Sequence, residues 1–159
     1  MLTSTSLILL LLNTFSTLFM TGLIWFVQIV QYPLFSSIGK ENFVSYQERF
    51  QWRTTWVVGV PMLIEAFTSV LLIWYPPVPN NSLLLMGVGL VFLIWTSTAF
   101  FQMPCHGELA RGFQSNYQRR LVVSNWIRTI SWTLRTMLVL WILFTVLAGS
   151  IELTEWMNE

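Results

Sequence analysis

Apolar residues gather into four stretches that carry almost no charge, 7–30, 54–75, 82–103 and 125–148. Each meets or exceeds the roughly 20 residues a helix needs to cross a bilayer. Only short segments lie outside them. The pattern predicts an all-α fold, a four-helix transmembrane bundle forming a single membrane domain over 1–159. The first stretch has no Lys or Arg before it, the earliest being Lys40, and it outruns a signal-peptide core. It reads as a retained span.

The connection Pro76-Pro77-Val78-Pro79-Asn80-Asn81 is short and stiff, which makes spans two and three antiparallel neighbours. The segment before span two differs. Phe43, Tyr46 and Phe50 recur at i, i+3, i+7, with Lys40, Glu41, Glu48 and Arg49 elsewhere on the wheel. That spacing suits either a short amphipathic helix on the membrane surface or a cap folded over the bundle end. Leu109, Phe113 and Leu121 allow the same pair of readings in the segment before span four.

Composition narrows the class. The chain is 55% hydrophobic and 9% charged, with mean hydropathy +0.63. Soluble domains carry about 25% charged residues. A net charge of +1 supplies no field for nucleic acid. The single cysteine, Cys105, excludes an intrachain disulfide and a Cys-x-x-Cys pair. Of nine tryptophans, Trp52, Trp56, Trp74, Trp126 and Trp156 fall near predicted span ends, where indoles anchor to the lipid–water boundary.

Charge sets orientation. Lys40, Arg49 and Arg53 lie between spans one and two; Arg111, Arg119, Arg120 and Arg128 lie between spans three and four or at the start of span four. The positive-inside rule places both basic segments in the cytoplasm. Both termini and the Pro76–Asn81 turn then face outward from a cell inner membrane.

Two charges fall inside spans, Glu65 and Arg135, where a charge is costly and marks pairing or function. Spans two and four start at the same membrane face. Glu65 is 11 residues in from Thr54 and Arg135 is 10 in from Asn125. At about 1.5 Å per residue both lie near mid-membrane, so an ion pair is expected. Polar residues of the spans also align. Thr17, Thr21, Gln28 and Tyr32 share a face of span one; Asn125, Arg128 and Arg135 share one of span four. Thr98, Gln102 and His106 share one of span three, provided the helix survives Pro104.

Most of these groups lie toward the basic end, which predicts a dead-end polar pocket rather than a through-pore. Glu65 and Arg135 would form its floor, and Gln28, Gln102, His106, Asn125 and Arg128 its mouth. The plainer reading is that amides and hydroxyls bridge helices and that Arg128 snorkels to the interface. Gly22, Gly59, Gly87 and Gly89 are expected to allow close helix packing.

His106, the only histidine, offers a general base or a metal ligand, but His106 beside Cys105 has neither the spacing nor the count of a zinc site. Bis-histidine haem within one chain is excluded. No phosphate-binding glycine loop, nucleophile elbow or dinucleotide fingerprint occurs. No metal ligand is assigned, a dimeric or mixed-ligand haem stays open without a positive signal, and the sequence names no cofactor. The polar set suits a lipophilic small molecule with a polar or anionic head, such as a quinone, polyketide or lipid.

The segments His106-Gly-Glu-Leu109-Ala-Arg-Gly112-Phe113, Asn125-Trp126-Ile-Arg128-Thr129 and Trp25-Phe-Val-Gln28-Ile-Val-Gln31-Tyr32-Pro33 resemble a group of small, uncharacterised bacterial four-helix membrane proteins. More distantly, the four-span layout and the opening of span four resemble the anthrone oxygenase-like superfamily. That resemblance implies oxygen-dependent oxidation of an aromatic substrate without an obvious cofactor, with Arg128, Asn125 and His106 as the positions to test.

Three functions are therefore open. The favoured one is a pocket for a lipophilic small molecule, catalytic or not, in which Glu65, Arg135 and His106 supply the chemistry and Gln28, Gln102, Asn125 and Arg128 bind. The others are a non-catalytic subunit of a larger membrane complex or homo-oligomer, and a small proton-coupled transporter using Glu65.

Overall fold

The computed structural model describes residues 3–79 and 81–157, with side chains as far as residue 150. Trp156, expected at a span end, lies outside the described side chains. Five α-helices account for nearly all of the described residues. Helix α1, Ser4–Phe26, is capped by the Thr3 hydroxyl on the Ser6 amide and runs on through a π-helical turn, Val27–Gln31, and a 3-10 turn, Pro33–Ser37. Helix α2, Lys40–Trp74, is continuous through Pro61. Helix α3, Asn81–Ser97, passes through a second π-helical turn, Thr98–Gln102, into α4, Met103–Leu109. Helix α5, Ser115–Met157, is the last described element, and there is no strand among the described residues.

Four of these stretches, Ser4–Ser37, Lys40–Trp74, Asn81–Leu109 and Ser115–Ser150, are long and apolar enough to cross a membrane. The chain is a multi-pass, all-α membrane protein, a four-helix bundle. Helix α1 packs on α2 and α5, and α3 packs on α5 and α2. Large apolar side chains such as Phe15, Phe92 and Phe100 point outward, while Asn13, Thr17, Glu65 and Arg135 are buried. That inside-out arrangement is what a hydrocarbon solvent selects, since unpaired polar groups are costly in lipid.

Two apolar clusters bracket the buried polar groups. One, at the end carrying the basic segments, joins Ile24, Phe35, Phe43, Leu109, Leu121 and Trp132. The other, toward the proline-rich turn, joins Leu10, Leu72, Leu84, Leu138 and Ile142.

Several expectations need correction. Residues 40–53 form no separate surface helix, because they continue α2 without a break. Phe43 is fully buried, with its ring edge-on to Phe35 and Phe113. Leu109 and Leu121 are likewise core residues, so the basic end closes by aromatic and aliphatic packing. Of the four span glycines, only Gly87 faces a close neighbour. A Cβ there would stand 3.4 Å from Arg135 Nη1 and from Leu138 Cδ2, whereas Gly22, Gly59 and Gly89 face open space.

Each π-helical turn runs up to a residue close before a proline, Pro33 or Pro104. Proline offers no N–H, and its ring crowds the carbonyl four residues back. A wider turn relieves that contact. The Tyr32 and Met103 amides accordingly bond five residues back, to Val27 and Thr98. The extra residue rotates the next turn of each helix, so that Tyr32 and His106 meet.

Candidate functional site

The buried polar groups form two layers. The deeper one is the expected ion pair. Arg135 Nε donates to Glu65 Oε1 at 2.8 Å, with both side chains 1% exposed. The acid accepts two further bonds, from Thr17 Oγ1 to Oε1 at 2.8 Å and from Trp132 Nε1 to Oε2 at 3.0 Å. The guanidinium is equally occupied. Its Nη1 donates to the Gly87 carbonyl, and Nη2 to Ser69 Oγ at 3.0 Å and Asn13 Oδ1 at 3.3 Å. Asn13 Nδ2 reaches the Glu65 carbonyl, Thr68 Oγ1 and Ser69 Oγ. This set takes residues from α1, α2, α3 and α5. Gly87 is glycine because its backbone must come within reach of the guanidinium. The layer also extends polar groups a turn beyond mid-membrane, at Asn13, Thr68 and Ser69, into the half of the spans that is mainly apolar in sequence.

The second layer lies nearer the basic end. Gln28, on the π-helical turn of α1, donates to the Val122 carbonyl at 3.1 Å and accepts from Asn125 Nδ2 at 2.9 Å. Asn125 Oδ1 in turn accepts from Arg128 Nη1 at 3.1 Å. Gln102 bonds Ser97 and Ser124, tying α3 to α5. His106 is held on both ring nitrogens, Nδ1 by Gln47 Nε2 at 2.9 Å and Nε2 by the Tyr32 hydroxyl at 3.0 Å. With Gln47 donating, the ring proton sits on Nε2 and points to the Tyr32 oxygen. Gln51 Nε2 satisfies the His106 carbonyl at 2.9 Å.

A cavity of about 350 Å³ opens beside this layer, lined by residues of α1, α2, α4, α5 and the two π-helical turns. Tyr32, Gln102, His106 and Arg128 supply its polar wall, and Met20, Ile24, Phe50 and Val58 much of its apolar one. Arg128 is its unusual member. It is 6% exposed, its Cζ lies 5.1 Å over the Trp132 ring, and its Nε has no hydrogen-bond partner. Among the described residues the ion pairs are Arg135–Glu65 and Arg111–Glu108, so no carboxylate neutralises Arg128. The Tyr32 hydroxyl is the titratable oxygen near enough to interact with it. Arg128 does not snorkel; its charge is spent inward.

The residues expected at one pocket thus divide. Gln102, His106 and Arg128 face the cavity, whereas Gln28 and Asn125 stand behind its wall and orient Arg128. Glu65 and Arg135 do not form its floor, because Trp132 intervenes, bonded to Glu65 beneath and covered by Arg128 above. The sequence pattern puts Tyr32 on the polar face of span one but not in the pocket, and it gives Gln47, Trp132 and Asn13 no role. Asn13 lies four residues before Thr17 on the same helix face, and that spacing was its one signal. Among the described residues, no cluster of three His, Cys, Asp or Glu could hold a metal ion. Comparison with protein-family models, with curated proteins and with solved structures finds no match to this chain.

Proposed function

We propose that the cavity beside Arg128 binds a lipophilic small molecule through an anionic or strongly electron-rich oxygen head. The observation that carries this reading is the buried guanidinium of Arg128, which faces a cavity with no acid to neutralise it. A buried cation is expensive unless paired. An anionic head would supply the missing charge, and the unpartnered Nε a bond to it. Gln102 and the Tyr32–His106 pair stand on the same wall to orient the head, and Met20, Ile24, Phe50 and Val58 would enclose an apolar body.

The seven basic residues outside mid-membrane all lie at the cavity's end of the bundle, which supports a cytoplasm-facing pocket in a cell inner membrane with both termini outside. An oxidative reaction on the bound molecule, as the anthrone oxygenase resemblance implies, would use the same pocket, with His106 and Tyr32 exchanging its protons. The closed bonding of Glu65 favours a structural over a transporting role for that acid. The test is mass spectrometry of small molecules extracted from purified protein. Wild type should yield a stoichiometric lipophile. Arg128→Gln should lose it, and so should Leu23→Trp, because Leu23 also lines the cavity and the larger ring would fill it with the charge intact. Equal recovery from all three would sink the proposal.

A further inference from the structure

A second cleft, of about 830 Å³, lies on the outside of the bundle, where the second π-helical turn and α4 meet the start of α5. Its walls are two helix faces. Phe100, Pro104 and Glu108 repeat at i, i+4, i+8 on one; Arg120, Val123 and Ser124 at i, i+3, i+4 on the other. Along its length the chemistry changes. Toward mid-membrane it is apolar, with Phe100, Phe101 and Val123 all exposed, at 72%, 48% and 62%. Toward the basic end it carries Arg111, Arg119 and Arg120. Arg111 is already bonded to Glu108 at 2.9 Å, which cancels both charges. Arg119 and Arg120 are exposed and have no acid partner among the described residues.

We infer that this cleft is a binding site for one anionic membrane phospholipid, its phosphate head between Arg119 and Arg120 and an acyl chain along Phe100, Phe101 and Val123. Gly107 is the one lining residue the cleft shares with the cavity at Arg128, and the arginines of the two sites are distinct. Charge complementarity selects an anionic head, since two guanidinium groups at one headgroup level remain unneutralised. The greasy lower half selects a lipid over a soluble phosphate. A free anion would leave that half against bulk bilayer and gain nothing from it. A zwitterionic lipid fills the groove but brings its own cation against the arginines.

Native mass spectrometry of the full-length, detergent-purified protein tests this, by titrating dioleoyl phosphatidylglycerol against dioleoyl phosphatidylcholine. The expected result is a single tight phosphatidylglycerol, preferred over phosphatidylcholine by about 25-fold, on the order of fivefold per arginine. Arg119→Gln combined with Arg120→Gln should erase the preference, and each single variant should remove part of it. Both positions are exposed, so the singles keep the test alive if the double variant does not fold. Arg49→Gln, at the same membrane end but outside the cleft, should change nothing. Soluble glycerol phosphate should fail to displace the lipid. Equal binding of the two lipids, an equal loss in Arg49→Gln, a preference unchanged in both single variants, or displacement by glycerol phosphate would each overturn the inference.

Discussion

Two arginines on one face of α5 meet opposite circumstances. Arg135 is saturated by Glu65, Gly87, Ser69 and Asn13, whereas Arg128 is buried with an idle Nε. The first is therefore a test of structure and the second of binding. Removing one partner of a buried pair leaves an uncompensated charge, while removing both leaves an apolar core. Glu65→Leu is expected to destabilise the protein by about 3–5 kcal/mol, and Glu65→Leu combined with Arg135→Leu to recover most of that loss. Unfolding by sodium dodecyl sulfate in mixed micelles reads both; a double variant no better than the single would show that the stranded guanidinium is not what destabilises Glu65→Leu. Trp132→Phe keeps the ring under Arg128 but deletes the bond to Glu65 Oε2. It should cost about 1.5–3 kcal/mol by the same assay, with bound lipophile retained. Loss of the lipophile without loss of stability would move Trp132 into the binding wall instead.

At the scale of the helix, the spacing of apolar residues and the near-absence of charge made the spans readable, and matching depth made the Glu65–Arg135 pair readable. The helix ends were not. The charged residues of 40–53 look like an interfacial segment because a helix leaving the bilayer and a helix lying on it share one amphipathic pattern. The roles of Tyr32 and His106 depend on two π-helical turns, and the residue each inserts shifts the register in a way that a fixed 100° wheel cannot show. The fates of the glycines were equally hidden, since which face each presents depends on helix rotation. They give a sharp contrast. Gly87→Leu should push α3 from Arg135 and Leu138 and cost about 1–3 kcal/mol, as overpacking does. Gly22→Leu and Gly89→Leu, facing open space, should change the detergent unfolding midpoint little. If all three behaved alike, the close approach of α3 to α5 would be wrong.

For the whole molecule, the arrangement of charge makes a statement about sidedness. In a Cys105→Ser background, a cysteine introduced at exposed Gln114, between α4 and α5, should be blocked only by reagents that reach the cytoplasm. One introduced at exposed Pro79 should react with an impermeant maleimide added to intact cells. The reverse labelling would invert the bundle and the proposed access to its cavity. The pocket itself was legible as a polar end but not as a shape. Gln28 and Asn125 share helix faces with lining residues, and only packing decides that they stand one layer back. Trp132 was hidden for a related reason: an indole within a span looks like bulk until its N–H is seen to reach an acid.

The four-helix polar knot also bears on how the chain is made. Glu65 emerges from the ribosome with α2, yet the guanidinium that completes it follows 70 residues later, on the fourth span. Until α5 arrives, the nascent chain holds an acid in the bilayer whose cation is still unmade. A prematurely stopped chain would carry that defect permanently, and quality-control proteases that sense polar groups in lipid would have a way to tell a finished molecule from an unfinished one.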